Sequence, residues 1–189
     1  MKKSKQAQLN IKDCILISLF SAIIAVSSLI TIPSPVPFTL QTFAIFSALL
    51  ILGGKKGTVA ITLYIFLGIV GLPVFSGFSG GIGHLLGATG GYVFGFMLTG
   101  IVFQVATFKS KNNTKRQITG LVAGLLSCYL VGTLWYAAVY IGYITLQTIV
   151  SATAICVLPF VIPDAIKLIA AILIGNKLKK LTEKASASL

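Results

Sequence analysis

The chain has 189 residues, 56% of them hydrophobic and 10% charged, with a mean hydropathy of +0.99 and a formal net charge of +12. A soluble domain of that length has too little interior to hide so much apolar surface, and no stretch is left over for a second domain. The composition describes one all-α integral membrane domain, residues 1–189, because the apolar runs are continuous and lack the two-residue alternation of a transmembrane barrel.

A helix needs about 20 apolar residues to cross a hydrocarbon core of roughly 30 Å. Six stretches are read as spans, near 13–32, 40–53, 58–72, 89–107, 118–143 and 160–177, the second and third short and the fifth long. Outward connections are then expected at 33–39, 73–88 and 144–159.

Lys2, Lys3 and Lys5 ahead of the first span imitate a secretory signal peptide, but no clean small-residue cleavage site follows, so a retained first helix is expected. On that helix Ser18 and Ala22 form one small-residue pair four apart, and Ser21 and Ala25 form another. Either pair gives a low-relief face suited to close contact with a helix of this bundle or of a partner subunit.

Pro33, Pro35 and Pro37 alternate through the first outward connection, which predicts an extended, stiff segment. Thr39, Gln41 and Thr42 follow where the chain re-enters the membrane. An unpartnered amide there costs on the order of a few kcal/mol. Thr39 is read as a helix cap and Gln41 as a candidate ligand contact.

The second connection is glycine-rich, aromatic and uncharged from Gly71 to Gly91, so it is expected to pack down over the bundle as a lid over an outward-facing pocket. It lacks the preceding strand and nearby cation of a phosphate-binding loop. Gly83, Gly87, Gly91 and Gly95 recur every fourth residue, which on one helix would make a face for close approach. His84 has no second histidine, carboxylate or cysteine nearby to complete a metal site and is expected to make structural hydrogen bonds.

Tyr92 opens the fourth span. In and after the fifth, Trp135, Tyr136, Tyr140 and Tyr143 offer pocket walls, hydroxyl partners or an interfacial aromatic belt, with Trp135 and Tyr136 expected to face inward. Cys14, Cys128 and Cys156 are far apart in sequence and read as small apolar fillers.

In the last span, Pro159 and Pro163 mark the start and Lys177 opens a basic cluster at the end. Lys167 lies ten residues before Lys177, roughly 15 Å along a helix and too deep to reach headgroups. Asp164, three residues earlier, shares its face and is expected near the helix N-terminus, where the dipole favours a carboxylate. The two make either a structural ion pair or the polar end of a pocket. With Gln41 and aromatic walls, such a pocket suits a small molecule with a polar head and an apolar body.

The other fourteen of the fifteen Lys and Arg residues fall at the N-terminus, between spans two and three, between four and five, and at the C-terminus. Six spans put all four groups, and both termini, on the cytoplasmic side. Anionic headgroups account for the charge without a nucleic-acid partner. The chain has no ATP-binding loop and only three acidic residues, so energy for active transport must come from elsewhere.

Val36-Pro37-Phe38-Thr39-Leu40-Gln41-Thr42, Gly71-Leu72-Pro73-Val74-Phe75, Gly77-Phe78-Ser79-Gly80-Gly81, Gly83-His84-Leu85-Leu86-Gly87, Thr89-Gly90-Gly91-Tyr92 and Pro163-Asp164-Ala165-Ile166-Lys167 together resemble the BioY family, the biotin-binding membrane subunits of energy-coupling-factor transporters. The resemblance covers nearly the whole chain. It implies a six-helix substrate-capture subunit, not an enzyme, in the bacterial plasma membrane. Such a subunit takes biotin from the extracytoplasmic side and works with a transmembrane coupling subunit and two cytoplasmic ATPases. It implies ligand contacts at Gln41, Asp164 and Lys167, with Gly91 and Tyr92 as further candidates, and no metal or other cofactor. It also implies that the first span meets the coupling subunit through a small-residue pair, matching Ser18 and Ala22 or Ser21 and Ala25.

Two rivals are weighed against this. An ion-coupled secondary transporter would use Asp164 and Lys167 as coupling groups, but no inverted repeat is visible. A membrane enzyme using Lys167 as base or Schiff-base amine would lack companion groups beyond Asp164.

Overall fold

A computed structural model describes the backbone of residues 10–34, 36–110 and 113–187. Lys2, Lys3, Lys5, Lys111 and Pro35 lie outside the described residues, as do the side chains of Lys179, Lys180 and Lys184. The elements are α1 (Ile11–Leu29), a hairpin of β1 (Thr31–Ile32) and β2 (Phe38–Thr39), α2 (Gln41–Leu52), α3 (Gly54–Ile69), α4 (Ile82–Leu86), α5 (Gly90–Thr107), α6 (Thr114–Tyr136), α7 (Leu146–Cys156) and α8 (Leu158–Ala187). A π-helical turn, Ala137–Ile141, extends α6.

Four segments among the described residues are long and apolar enough to cross a membrane: Ile11–Leu29, Gly90–Thr107, Thr114–Ile141 and Leu158–Gly175. α2 and α3 have 12 and 16 residues, so they reach only roughly 18 and 24 Å.

Pro33 and Pro37 lie between the strands of an antiparallel hairpin in which Thr31 pairs with Thr39 and Ile32 with Phe38. Its turn is drawn inward, with Val36 buried. The long connection after α3 also folds inward. Its Phe75 is buried edge-on to Tyr64, with ring centroids 5.6 Å apart, and Ser28 of α1 donates a hydrogen bond to the Val74 carbonyl. Buried aromatic area, rather than regular secondary structure, holds this segment against the bundle.

α5 and α6 make the most extensive helix pair, with α2 against α8, α3 against α5 and α1 against α2 and α3 completing the bundle. Gly91 and Gly95 let α5 approach α6 closely, for a Cβ at either would run into Trp135 or Cys128. Thr99 closes the same seam by donating to the Gly95 and Gly124 carbonyls at 3.0 and 2.9 Å.

The structure corrects four expectations. No loop carries Lys55 and Lys56, because a single residue, Gly53 at φ +79°, separates α2 from α3, and both lysines sit in the first turn of α3. The stretch 144–159 is not a loop but holds α7, started by a reciprocal cap between Thr145 and Thr148. The four-residue glycine register is broken, since α4 ends at Leu86 and only Gly91 and Gly95 share a helix. Finally, α8 begins at Leu158 and carries Pro163 inside it. Asp164 is thus well past the first turn, beyond the reach of the helix-end dipole.

Candidate ligand-binding site

The hairpin, the α3–α5 connection and the facing sides of α2, α5, α6 and α8 enclose a cavity of about 640 Å³, counting its open mouth. Its polar residues include Thr39, Gln41, Thr42, Tyr129, Asp164 and Lys167, and Tyr64, Phe75, Tyr92, Phe96 and Phe160 supply aromatic wall.

Asp164 and Lys167 are 2% and 8% exposed, respectively, so the pair is removed from both water and lipid. Lys167 Nζ has three protons and three oxygen partners: the Thr39 carbonyl at 2.6 Å, Thr42 Oγ1 at 3.1 Å and Asp164 Oδ1 at 2.9 Å. It also lies 4.4 Å from the centre of the Phe38 ring, which stacks on Phe160. The lysine is fully engaged in tying α8 to the hairpin and to α2.

The Asp164 carboxylate is less fully used. Oδ1 accepts from Lys167 and from Thr42 Oγ1 at 2.9 Å, while Oδ2 accepts only from the Tyr129 hydroxyl at 2.6 Å. A carboxylate oxygen can take about two hydrogen bonds, so Oδ2 keeps one acceptor position. Gln41 is its counterpart, with a side-chain Nε2 that is buried and has no hydrogen-bond partner. Thr39 acts mainly through its backbone carbonyl rather than as a side-chain cap, although its hydroxyl does accept from Gln41 N at 3.3 Å.

Gln41, Tyr92, Asp164 and Lys167 of the expected site residues line the cavity; Gly91, Trp135 and Tyr136 do not. Gly91 is covered by Trp135, whose indole N–H donates to the Gly87 carbonyl at 2.9 Å and pins the connection to α6. Tyr136 is buried against Tyr140 at a centroid distance of 4.9 Å, and Tyr140 and Tyr143 are exposed. Thr42 and Tyr129 complete the polar cluster. Tyr129 gave no signal in the sequence, where it is one more aromatic in an apolar span.

His84 makes the structural hydrogen bonds expected of it and also lines the cavity. Burial pushes its imidazole pKa below the usual value. On α1, Ser18 and Ala22 are exposed together, whereas Ser21 is buried and Ala25 packs against the core. Only the first pair is open to a partner.

Fold and site together define a helical membrane protein with an internal cavity whose lining carries a buried polar cluster and aromatic walls. The chain belongs to the BioY family, whose family model matches residues 1–184. It is 40% identical over 171 residues to a probable biotin transporter BioY from Pyrococcus horikoshii, covering 89% of this chain and 96% of that protein. It is 42% identical over 164 residues to the biotin transporter BioY of Thermotoga maritima, covering 86% and 93% of the two chains. Its structure matches the crystal structure of the S-component for biotin from an ECF-type ABC transporter with a TM-score of 0.76 at 27% identity, covering 89% and 91% of the two chains. The S component of a bacterial ECF transporter shares the fold at a TM-score of 0.55 and 20% identity.

Proposed function

We propose that this chain is the biotin-binding subunit of a vitamin uptake transporter, capturing biotin on the extracytoplasmic side for ATP-driven import by partner subunits. The observation that carries the reading is the pairing of one spare acceptor position, at Asp164 Oδ2, with one unpartnered buried donor, Gln41 Nε2, on two residues that line the cavity. Biotin's ureido ring carries N–H donors and a carbonyl acceptor, the complement of that pair. Its thiophane ring and valerate chain match the walls formed by Tyr92, Val93, Phe96 and Phe160.

In this reading Lys167 does not meet biotin through a spare proton, because its three are already engaged. It holds and aims the Asp164 carboxylate, and Thr42 and Tyr129 fix the carboxylate plane. An ion-coupled carrier is disfavoured by family membership.

The six crossings are assigned to α1, α2, α3, α5, α6 and α8 in one membrane domain, with both termini cytoplasmic by the distribution of basic residues. The chain is placed in the cell membrane, where it is a transport protein and not an enzyme. It works with a transmembrane coupling subunit and two cytoplasmic ATPases, the former meeting the Ser18–Ala22 face.

Calorimetric titration of the detergent-purified protein with biotin, thiamine and riboflavin tests the assignment. Saturable binding of biotin alone is expected; no binding of biotin, or equal binding of another vitamin, removes it.

A further inference from the structure

The cavity holds one imidazole that the reading above leaves unused. His84 stacks on Phe75 at a centroid distance of 4.9 Å, with Nδ1 2.8 Å from Ser79 Oγ and Nε2 3.4 Å from Thr89 Oγ1. The tautomer follows from the neighbours. Ser79 Oγ lies 2.8 Å from both the Ser76 carbonyl and His84 Nδ1; because the carbonyl can only accept, the hydroxyl proton is assigned to it, and Nδ1 is then assigned the ring hydrogen. Nε2 is left with a lone pair and a long contact to Thr89. His84 and Thr89 line the cavity and Ser79 does not, which makes Nε2 the ring nitrogen on the cavity side.

The other end of biotin is a carboxylate. The cavity's charged pair, Asp164 and Lys167, already cancels, and Lys167 has no proton free for an anion. Its remaining titratable residues, Tyr64, Tyr92, Tyr129, Cys128 and Cys156, are neutral groups that cannot balance the charge, and Phe75, Ser79 and Thr89 beside the imidazole are uncharged. A carboxylate entering this cavity would be an uncompensated charge and would meet a lone pair at Nε2. One proton on Nε2 resolves both problems, turning an acceptor into a charge-assisted donor.

We infer that His84 is the carboxylate contact for biotin and that binding draws one proton onto Nε2. The inference rests on the biotin reading and on the ureido ring lying at Asp164 and Gln41. Its pH dependence has a definite sign. His84 has a higher pKa in the complex than in the free protein, so affinity is greatest below the free-state value. It is lost by up to about tenfold per pH unit as pH rises towards the complex value.

The test is calorimetry on the purified full chain from pH 5.5 to 8, in buffers of different ionisation enthalpy, with biotin and with its uncharged carboxamide. Uptake of up to one proton for biotin, none for the carboxamide, and loss of the linkage in His84→Gln are the expected results. Biotin binding without proton uptake, equal uptake with the carboxamide, or uptake retained in the variant would each overturn the inference while leaving the substrate assignment intact. Absence of biotin binding at every pH would remove the substrate assignment and this inference together. The wild-type comparison of two ligands stands even if the variant does not fold.

Discussion

The two walls of the cavity are built on opposite principles. On the α8 side, Asp164, Lys167, Thr42 and the Thr39 carbonyl form a polar knot closed by directional bonds of 2.6–3.1 Å. On the α5–α6 side, glycine at 91, 95, 124 and 132 lets two helices meet almost backbone to backbone, and the side chains facing the cavity are largely apolar except Tyr129, which reaches across to join the knot at Asp164. The first wall is the one to which the proposal gives recognition, and its buried charges are answered by named partners. The second supplies shape, and its own aromatics, Trp135 and Tyr136, are used in packing rather than in the cavity. The lesson is that depth in the membrane does not by itself make an aromatic residue a ligand contact.

The contrast can be broken most directly at Asp164. Replacing Asp164 by Asn removes the anion that Lys167 neutralises and weakens the open acceptor, and should raise the biotin Kd by about 100-fold by titration calorimetry. Lys167→Met should cost about 10- to 100-fold and lower the melting temperature as well, because Asp164 is left charged and buried. An unchanged Kd in both variants would remove the polar knot from the site. Tyr129→Phe deletes a single hydrogen bond to the carboxylate and should cost about tenfold in Kd with little change in melting temperature.

The α5–α6 wall should answer in the opposite way. Trp135→Phe loses the bond to Gly87 and should destabilise the protein by about 1 kcal/mol, seen as a fall of a few degrees in melting temperature. Its biotin Kd should stay within about threefold, and a larger change would make Trp135 part of the recognition surface after all. The smallest effect on binding belongs to α1, where Ala22→Leu should leave Kd unchanged and reduce biotin uptake by cells carrying the whole transporter.

Asp164 and Lys167 were legible in the sequence because a charge ten residues from the nearest basic cluster of an apolar span has only one place to go. Gln41 was legible for a related reason, as an amide at a re-entry point. Tyr129 was not, because a tyrosine among apolar residues reads the same whether its hydroxyl meets Asp164 or lipid headgroups. α7 was missed since its 11 residues are too few for a span, and its start depends on a cap between two threonines.

The sequence by itself determined that the chain is an α-helical membrane protein, that Asp164 and Lys167 share a helix face, and the family to which it belongs, because these follow from hydropathy, spacing and motif. Tertiary structure decided which small-residue pair of α1 faces outward, that Lys167 has no free proton, and that Gln41 Nε2 and Asp164 Oδ2 are the open positions. Hydrogen-bond saturation depends on directions between atoms as far apart in the chain as Thr39 and Lys167. Those directions exist only once the helices are packed.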